Sequence, residues 1–445
     1  MNCWTYKIRF ILFFSTAIFP SVSVYAQEWA TPKWDLNRCI EFALEQNIQV
    51  KAQKLSVSSQ KVGLAKSKSE RLPSLNASVS ENIANSKDLS GDNNWEVSSG
   101  TSFSLSSSLT LYSGGSISKG IRQSEMNMEL ANSDVETTQN NIILSITQAY
   151  LNVLYANESS LYAREVLTVS EKQAERTREL FKVGSVTKLD VAKMDAQRAS
   201  DKYSVVTAEN TLISRITELK QLLEIPVTDT FNVYFPEVII DGIIDTLPVL
   251  TDVYSTALSI MPEIKSGQLS VDIAEVDVQI AQAGYLPTLT MSAGYSTDYS
   301  DQAGGNFGHQ LSDNQSQHAG FTLSIPIFSR NVTKASVQQS KIKLEQARLS
   351  KLEAEKNLLQ EVESVFQDSR ASINRYRAAV EQMASANETY RLSEEQFNLG
   401  ILNTVELLEA KTTFLNARAE YTQAKYSAIL NRKILDFYMG NPISI

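Results

Sequence analysis

Few residues in this chain could carry out catalysis or bind a metal ion. The only two histidines, His309 and His318, lie in a glycine- and serine-rich segment, without an acid and a cysteine at metal-ligand spacing. The position of Cys39 within Leu36–Ile40 indicates a small buried residue on a helix. The chain also has no glycine-rich phosphate loop and no nucleophile elbow. The sequence therefore predicts a protein that is not an enzyme and uses no cofactor or metal.

Three acidic residues follow two isolated glycines at matching distances. Asp190 comes six residues after Gly184, while Glu406 and Glu409 come six and nine residues after Gly400. Both glycines interrupt stretches rich in Ala, Glu, Gln, Lys, Leu and Arg, which are strong helix formers. Each glycine is therefore expected to form a turn between two helices, with the acids in the helix that follows.

Capping of that second helix is one role for these acids. Thr187-x-x-Asp190 resembles a capping box, and Asn403 or Thr404 could cap the corresponding helix of the second turn. Acids in a first helical turn, such as Glu406, also interact favourably with the helix dipole. The capping role is the simplest explanation of Asp190 and Glu406 but not of Glu409, and it is compatible with a further role.

The elements that position these acids are unusually long helices. Residues Ser116 to Lys182 and Val332 to Asn398 can each form one helix of about 67 residues, or roughly 100 Å. Returning helices are expected over about 187–224 and 404–438. None of the ten prolines falls in these four segments. Short breaks between helices predict two antiparallel helical hairpins that need lateral partners along their length, as in a coiled coil.

The chain is a duplication. The motif at 72–75 recurs at 286–289, an offset of 214, and the hairpin glycines recur at an offset of 216. We therefore expect a first structural repeat at 27–226, a linker or equatorial segment at 227–249, and a second structural repeat at 250–445. A repeat of this size is too long for a solenoid unit and indicates one large module used twice.

The segment before each long helix alternates with a period of two residues, which predicts strands. The predicted strands span about 74–82, 102–112, 288–300 and 321–328. One face is apolar or aromatic, and the other is mostly serine. In a transmembrane barrel, apolar side chains face outward to the lipid and small polar side chains face the interior. The alternative is two exposed hairpins that pack on a partner. In the barrel interpretation the following aromatic residues face lipid: Phe103, Tyr295, Tyr299 and Phe321.

Residues 1–26 have the features of a secretory signal peptide. Lys7 and Arg9 precede an apolar run over 10–19, and Val24 and Ala26 are the small residues that a signal peptidase reads. The formal net charge of −9 argues against a nucleic-acid partner. No later run approaches the length of a spanning helix, so we expect that the chain can enter a membrane only as a barrel.

Four strands cannot close a barrel, and an open strand edge in lipid leaves costly unpaired backbone groups. The chain is therefore expected to form a cyclic oligomer. Two copies would supply eight strands and three would supply twelve. The strand count alone does not decide between two copies and three.

Several motifs, in order and duplicated, make the chain similar to the TolC-like outer-membrane efflux proteins. They include Leu36-x-x-Cys39-Ile40-x-x-Ala43-Leu44-x-x-Asn47, the paired Leu-Pro-Ser/Thr-Leu motifs, Leu109–Gly115, Leu323–Phe328, Phe181-x-x-Gly184 and Gln396-Phe397-x-x-Gly400. The resemblance covers essentially the whole chain after residue 26.

The resemblance implies an α+β membrane protein of the cell outer membrane that extends into the periplasm. A homotrimer would form a twelve-stranded transmembrane barrel from four strands per chain, continued by an α-helical coiled-coil barrel. It would be the passive exit duct of a tripartite efflux pump or a type I secretion system. The implied partners are outer-membrane lipid, a periplasmic adaptor (membrane fusion) protein and an inner-membrane transporter of RND or ABC type.

The family pattern also assigns roles to the hairpin turns. Acids ring the periplasmic aperture, and the matching residues are Glu406 and Glu409, with Asp190 at the corresponding place in the first turn. The turns would dock the adaptor through these residues: Val183, Gly184, Ser185, Thr187, Gly400, Ile401, Leu402 and Asn403. Phe397 and Leu402 stand where the best-known family member has polar gating residues, so we expect apolar contacts to contribute more to closure here. The competing interpretation is a structural or adhesive coiled-coil surface protein.

Overall fold

The computed structural model describes residues 33–87, 95–236, 240 and 246–443. The expected signal peptide at 1–26 lies outside the described residues, as does most of the loop that joins the first two predicted strands. The helices of the first half are α1 (Leu36–Gln46), α2 (Ile48–Ser69), α3 (Ser116–Lys182) and α4 (Lys188–Leu222). Those of the second half are α5 (Leu250–Ile260), α6 (Pro262–Ala283), α7 (Phe307–Asp313), α8 (Val332–Asn398) and α9 (Thr404–Tyr438). The strands are β1 (Ser74–Lys87), β2 (Trp95–Ser113), β3 (Thr288–Ser300) and β4 (Ser316–Ser324).

The two long hairpins have equal dimensions. Helices α3 and α8 each contain 67 residues, and α4 and α9 each contain 35. The turns between them depend on Gly184 and Gly400, whose φ angles of 78° and 75° lie in the left-handed region that glycine adopts without steric cost. In the first turn, the N–H of Ser185 donates to the carbonyl of Leu180 at 2.9 Å. This bond uses a carbonyl group that the end of α3 would otherwise leave unpaired.

The four strands form one antiparallel sheet in the order β1-β2-β3-β4. Strands β1 and β2 are longer than the alternating sequence predicted, extending to Lys87 and from Trp95. Strand β4 is shifted towards the N-terminus relative to the predicted span of 321–328. Its pairing with β3 ends at Ser324 opposite Thr288, and Pro326 lacks the N–H needed to continue the ladder.

The glycine- and serine-rich segment between β3 and β4 contains the short helix α7. The side chain of Asn306 caps this helix by accepting a bond from the N–H of His309 at 2.8 Å. The helix packs against β3, so the loop is an ordered part of the sheet domain rather than an unstructured connection.

The largest hydrophobic core lies where α1 and the start of the linker meet the middle of α3. Its fully buried members include Tyr150 and Ile146 of α3 and Cys39 of α1. Burial raises the pKa of the Cys39 thiol to about 12, so it is not a reactive nucleophile at neutral pH. In the linker, Val233 forms an isolated bridge with Trp34. The hydroxyl of Tyr150 fixes this segment by donating to the carbonyl of Tyr234 at 2.6 Å.

None of the helices in the described part of the chain combines the length and the apolar composition that a membrane-crossing helix requires.

Candidate functional site

The sheet has one face lined by hydroxyl groups. Ser78 lies opposite Ser104, and Ser80 lies opposite Ser102, with 2.7 Å between the hydroxyl oxygens of each pair. Strands β3 and β4 continue this face with small and polar residues, because successive side chains point to opposite sides of a strand. On these strands the face carries Ser292, Gly294, Ser296, Asp298, His318, Gly320 and Thr322.

The opposite face of the sheet is mostly apolar, and much of it is exposed in the single chain. It carries two of the expected lipid-facing aromatics, Tyr295 and Phe321, whose side chains are exposed in the isolated chain. A charged residue that the sequence analysis missed, Glu81, also lies on this face. Its carboxylate accepts hydrogen bonds from the hydroxyls of Ser99, at 2.7 Å, and Thr101 on the neighbouring strand. These bonds partly compensate the charge within an otherwise apolar surface.

Helix α7 covers part of the apolar face. Its Phe307 ring lies 5.1 Å from the ring of Tyr299 and 6.4 Å from that of Phe103, centroid to centroid. These two expected lipid-facing aromatics are therefore only partly exposed. Because Phe307 packs against one side of each ring, only the remaining surface of Phe103 and Tyr299 can contact lipid.

A buried glutamine holds α7 in this position. The Gln310 amide accepts a hydrogen bond from the N–H of Ser300 at 2.9 Å and donates to the carbonyl of Ser300 at 3.0 Å. It also donates to the carbonyl of Ala303 at 2.9 Å. Buried polar groups of this kind must be hydrogen-bonded, so the loop conformation and the glutamine support each other.

The two histidines do not approach each other as metal ligands. His309 pairs with Asp313 at 2.6 Å on the exposed side of α7. The ring of His318 lies against Gly294, where an added Cβ atom would overlap its Cε1 atom. In the described residues no three His, Cys, Asp or Glu side chains form a group that could hold a metal ion.

The acids after the hairpin glycines take part in reciprocal caps. Thr187 accepts a bond from the N–H of Asp190 at 3.2 Å, and the Asp190 carboxylate accepts one from the N–H of Thr187 at 2.9 Å. The hydroxyl and N–H of Thr187 hold the pKa of Asp190 below its usual range, and the Thr404 hydroxyl adds to this effect. This interaction links Asp190 of the first turn to the beginning of α9.

The second turn has the same arrangement, with Asn403 rather than Thr404 as the cap. The Asn403 side chain accepts bonds from the N–H groups of Val405 and Glu406 at 2.9 and 3.0 Å. Thr404 is the buried first residue of α9. Glu406 bonds back to the N–H of Asn403 at 3.4 Å, whereas Glu409 lies one turn further on and is exposed.

The apolar residues of the turns divide into two groups. Val183, Leu399 and Ile401 have 72–75% of their surface exposed, so they could contact another molecule. Phe397, in contrast, is buried in a cluster with Ala174, Met194 and Leu407, and Leu402 packs against this cluster. Phe397 is thus packed between helices of its own chain, and the expected contribution of apolar contacts to closure stays a prediction.

A buried charged network lies about one to two helical turns further from the tip than this cluster. The Lys411 ammonium lies 2.9 Å from the Asp201 carboxylate, with 3% and 6% of the two side chains exposed. Ser170 donates to Asp201 and accepts from Lys411. The Gln197 amide donates to the other Asp201 oxygen at 2.9 Å.

This network was not predicted from the sequence, although one signal for it was present. Lys411 follows the buried Leu407 by four residues, so the two side chains lie on the same inward-facing side of α9. A lysine on an inward stripe requires a partner, because an unpaired buried charge is very costly.

Comparison with known proteins points to one family. The family model described as outer membrane efflux protein matches residues 39–223 and 253–441. Outer membrane protein TolC of Escherichia coli strain K12 is 28% identical over 318 residues, which cover 68% of this chain and 62% of TolC. This chain therefore spans less than two thirds of that relative's length.

Two further comparisons extend over more of the chain. Outer membrane protein TolC of Vibrio cholerae is 24% identical over 389 residues, which cover 85% of both chains. A crystal structure of CusC superposes with a TM-score of 0.76 over 92% of each chain at 17% identity, which is evidence for a shared fold.

Proposed function

Because the chain belongs to the outer membrane efflux protein family, we propose that it is the outer-membrane exit duct of a tripartite efflux pump or type I secretion system. It is located in the outer membrane, like the relatives named outer membrane proteins. The duct is passive: it offers a path for cargo and performs no chemistry on it.

The two-faced sheet is the observation that carries this proposal. A row of serine pairs such as Ser78–Ser104 suits a water-filled interior, and an apolar face carrying Phe321 suits lipid. A coiled-coil surface protein that binds partners through exposed hairpins has no need of a hydroxyl-lined face, so this alternative is not favoured.

The strand edges support a cyclic oligomer, which we propose is a homotrimer. Within the described sheet, β1 and β4 are the outer strands, and each has one edge without a strand partner. In lipid those edges must pair with neighbouring copies, because unpaired backbone groups there each cost several kcal/mol. Three chains would close a barrel of twelve strands, a size that leaves a lumen wider than that of the filled eight-stranded barrels.

The helical end supplies the contacts with the partners. The exposed residues Val183, Leu399 and Ile401 form apolar tips that a periplasmic adaptor can dock onto. The adaptor in turn would connect the duct to an inner-membrane transporter of RND or ABC type, which supplies the energy.

The carboxylates near the turns give the aperture its selectivity in this proposal. Glu409 is exposed and outside the capping boxes, so its charge is free to act on ions. Glu406 and Asp190 combine capping with a contribution to the same negative field. Rings of carboxylates favour cations in a narrow pore.

The proposal is tested with the full-length protein purified from outer-membrane fractions. It should run as a heat-modifiable trimer and give discrete conductance steps in planar bilayers. A monomer confined to the soluble fraction, or a trimer without conductance, would contradict the proposal.

A further inference from the structure

The apolar face of the sheet changes character at one row of side chains. Glu81, Thr101 and Tyr299 lie side by side across β1, β2 and β3. Between this row and the helical end of the chain, the face is mostly apolar and carries Leu105 and Phe321. At the row itself, the Glu81 carboxylate accepts a hydrogen bond from the Thr101 hydroxyl. We call Glu81, Thr101 and Tyr299 the boundary row.

The apolar face up to the boundary row has the height of a lipid-facing band. On β3 this face begins at Leu289, ten residues before Tyr299. Ten steps of about 3.3 Å, in a strand tilted by about 40° from the membrane normal, cover about 25 Å of height. The apolar band of outer-membrane barrels is also about 25 Å tall. The stretch from Leu289 to Tyr299 is therefore long enough to fill the hydrocarbon layer by itself.

Strands β1 and β2 continue well past the boundary row. The pair Lys87–Trp95 lies six residues further along these strands. Ile83, Val97 and Trp95 make this part of the face apolar again, and all three are exposed. A hydrocarbon layer that reached from Leu289 to Trp95 would be about 40 Å thick, whereas a typical one is about 30 Å. The end of the β1–β2 hairpin must therefore lie outside the hydrocarbon.

Helix α7 packs against the sheet at the level of the boundary row. The Phe307 ring contacts the rings of Phe103 and Tyr299. One turn later, the Leu311 carbonyl accepts a hydrogen bond from the Thr297 hydroxyl at 2.7 Å. Both ends of the helix are thus attached to the apolar face of the sheet, so the height of α7 relative to the strands is fixed.

The other side of α7 is polar. His309, Ser312 and Asp313 are exposed there, and the His309 ring lies 2.6 Å from the Asp313 carboxylate. Ionisable side chains are costly in hydrocarbon, so this side of the helix does not fit the interior of the bilayer. Phe307 nevertheless keeps 48% of its surface exposed beside the polar side. Helices with one apolar and one polar side, and aromatic rings above all, suit the interface between hydrocarbon and water.

We propose that α7 lies in the lipid headgroup layer of the outer leaflet and that the boundary row marks the outer limit of the hydrocarbon. The segment between β3 and β4 then contacts lipid headgroups instead of standing free in the external water. Glu81 lies at the same level, where its carboxylate is hydrated. This inference rests on the proposed function, because it requires the strands to span the outer membrane.

Fluorescence quenching at defined depths tests the position of α7. The full-length trimer is reconstituted in phosphatidylcholine vesicles, and bimane is attached to one introduced cysteine, since Cys39 is too deeply buried to react. Bimane on Leu105→Cys should be quenched most strongly by a nitroxide in the middle of the acyl chain. Bimane on Ser312→Cys should be quenched at least about twofold more by a nitroxide on the headgroup than by the acyl-chain nitroxide. Bimane on Val97→Cys should be quenched by iodide in the water and not by the acyl-chain nitroxide.

A lumen-facing variant supplies the control. Bimane on Ser104→Cys, next to Leu105 but on the hydroxyl-lined face, should respond to neither lipid nitroxide. If Leu105→Cys is quenched from the acyl chain but Ser312→Cys is not quenched from the headgroup, the position of α7 is overturned and the proposed function stands. Quenching of Val97→Cys from the acyl chain would overturn the boundary row in the same way. Absence of lipid quenching at Leu105→Cys would contradict the proposed function and this inference together.

Discussion

Asn403 and Glu406 cap each other at the start of α9. The Asn403 side chain accepts a bond from the N–H of Glu406 at 3.0 Å, and the Glu406 carboxylate accepts one from the N–H of Asn403 at 3.4 Å. Glu406 therefore has a structural task at the tip besides the proposed role in the aperture. Glu409, outside this box, allows the two roles to be separated.

Loss of the cap should destabilise the second hairpin. Asn403→Ala removes the acceptor for the N–H groups of Val405 and Glu406 and should lower the free energy of unfolding by about 1 kcal/mol. Denaturant unfolding of the purified protein would measure it. Asn403→Ser keeps a capping oxygen and should stay close to the wild type. Equal losses in both variants would contradict the capping role.

Charge at Glu409 should affect ion selectivity without affecting stability. Glu409→Gln removes an exposed carboxylate that the caps do not use, so the reversal potential in a KCl gradient should shift away from cation preference. Glu406→Gln should shift it as well and should also weaken the cap by a few tenths of a kcal/mol. Glu388→Gln, which removes an exposed carboxylate of α8 that is paired with Arg391, is the control. Unchanged selectivity in the double Glu406→Gln/Glu409→Gln variant would contradict the acidic aperture.

The cap of the first turn should depend on pH. Hydrogen bonds from Thr187 hold the folded-state pKa of Asp190 below its ordinary value of 3.8. The unfolded chain therefore takes up the proton first as the pH falls. The stabilisation is complete above about pH 4 and is lost as the pH falls through the folded-state pKa. Asp190→Asn should be less stable than the wild type at pH 7, and the difference should narrow below about pH 4. A difference that stays constant across this range would contradict the account.

Helix α7 should detach when its anchor is removed. Gln310→Ala deletes the bonds to Ser300 and Ala303 and should make 301–315 much more sensitive to limited proteolysis. His309→Ala, on the exposed side of the same helix, should leave the cleavage rate close to that of the wild type. The same cleavage rate in both variants would show that Gln310 does not hold the loop.

The long hairpins could be predicted from sequence because residues at the helix ends themselves set the boundaries. The helices α3, α8 and α9 begin and end where proline and glycine positions predicted, and the turn glycines have the left-handed angle they were expected to adopt. Strand β4 could not be placed in the same way. Its alternation continues past Ser324, and only the pairing with β3 and the missing N–H of Pro326 decide where the strand ends.

The features that were missed depend on contacts between distant segments. Gln310 lies in a segment whose composition indicates a loop, and its anchoring role requires the neighbouring Ser300 of β3. Lys411 and Asp201 are 210 residues apart, and neither residue alone identifies its partner. Spacing identified the acids at the turns, since a cap involves residues only three apart.

Successive side chains of β2 are expected to face the lumen and the lipid in turn, and this alternation offers the most direct test of the proposed duct. Ser104 lies on the hydroxyl-lined face, and the adjacent Leu105 lies on the apolar face. In single-channel recordings of the Ser104→Cys protein, a charged thiol reagent should lower the conductance in three equal steps, one for each chain. The Leu105→Cys protein should not respond. A response of Leu105→Cys, or a number of steps other than three for Ser104→Cys, would contradict a trimeric duct lined by the serine face.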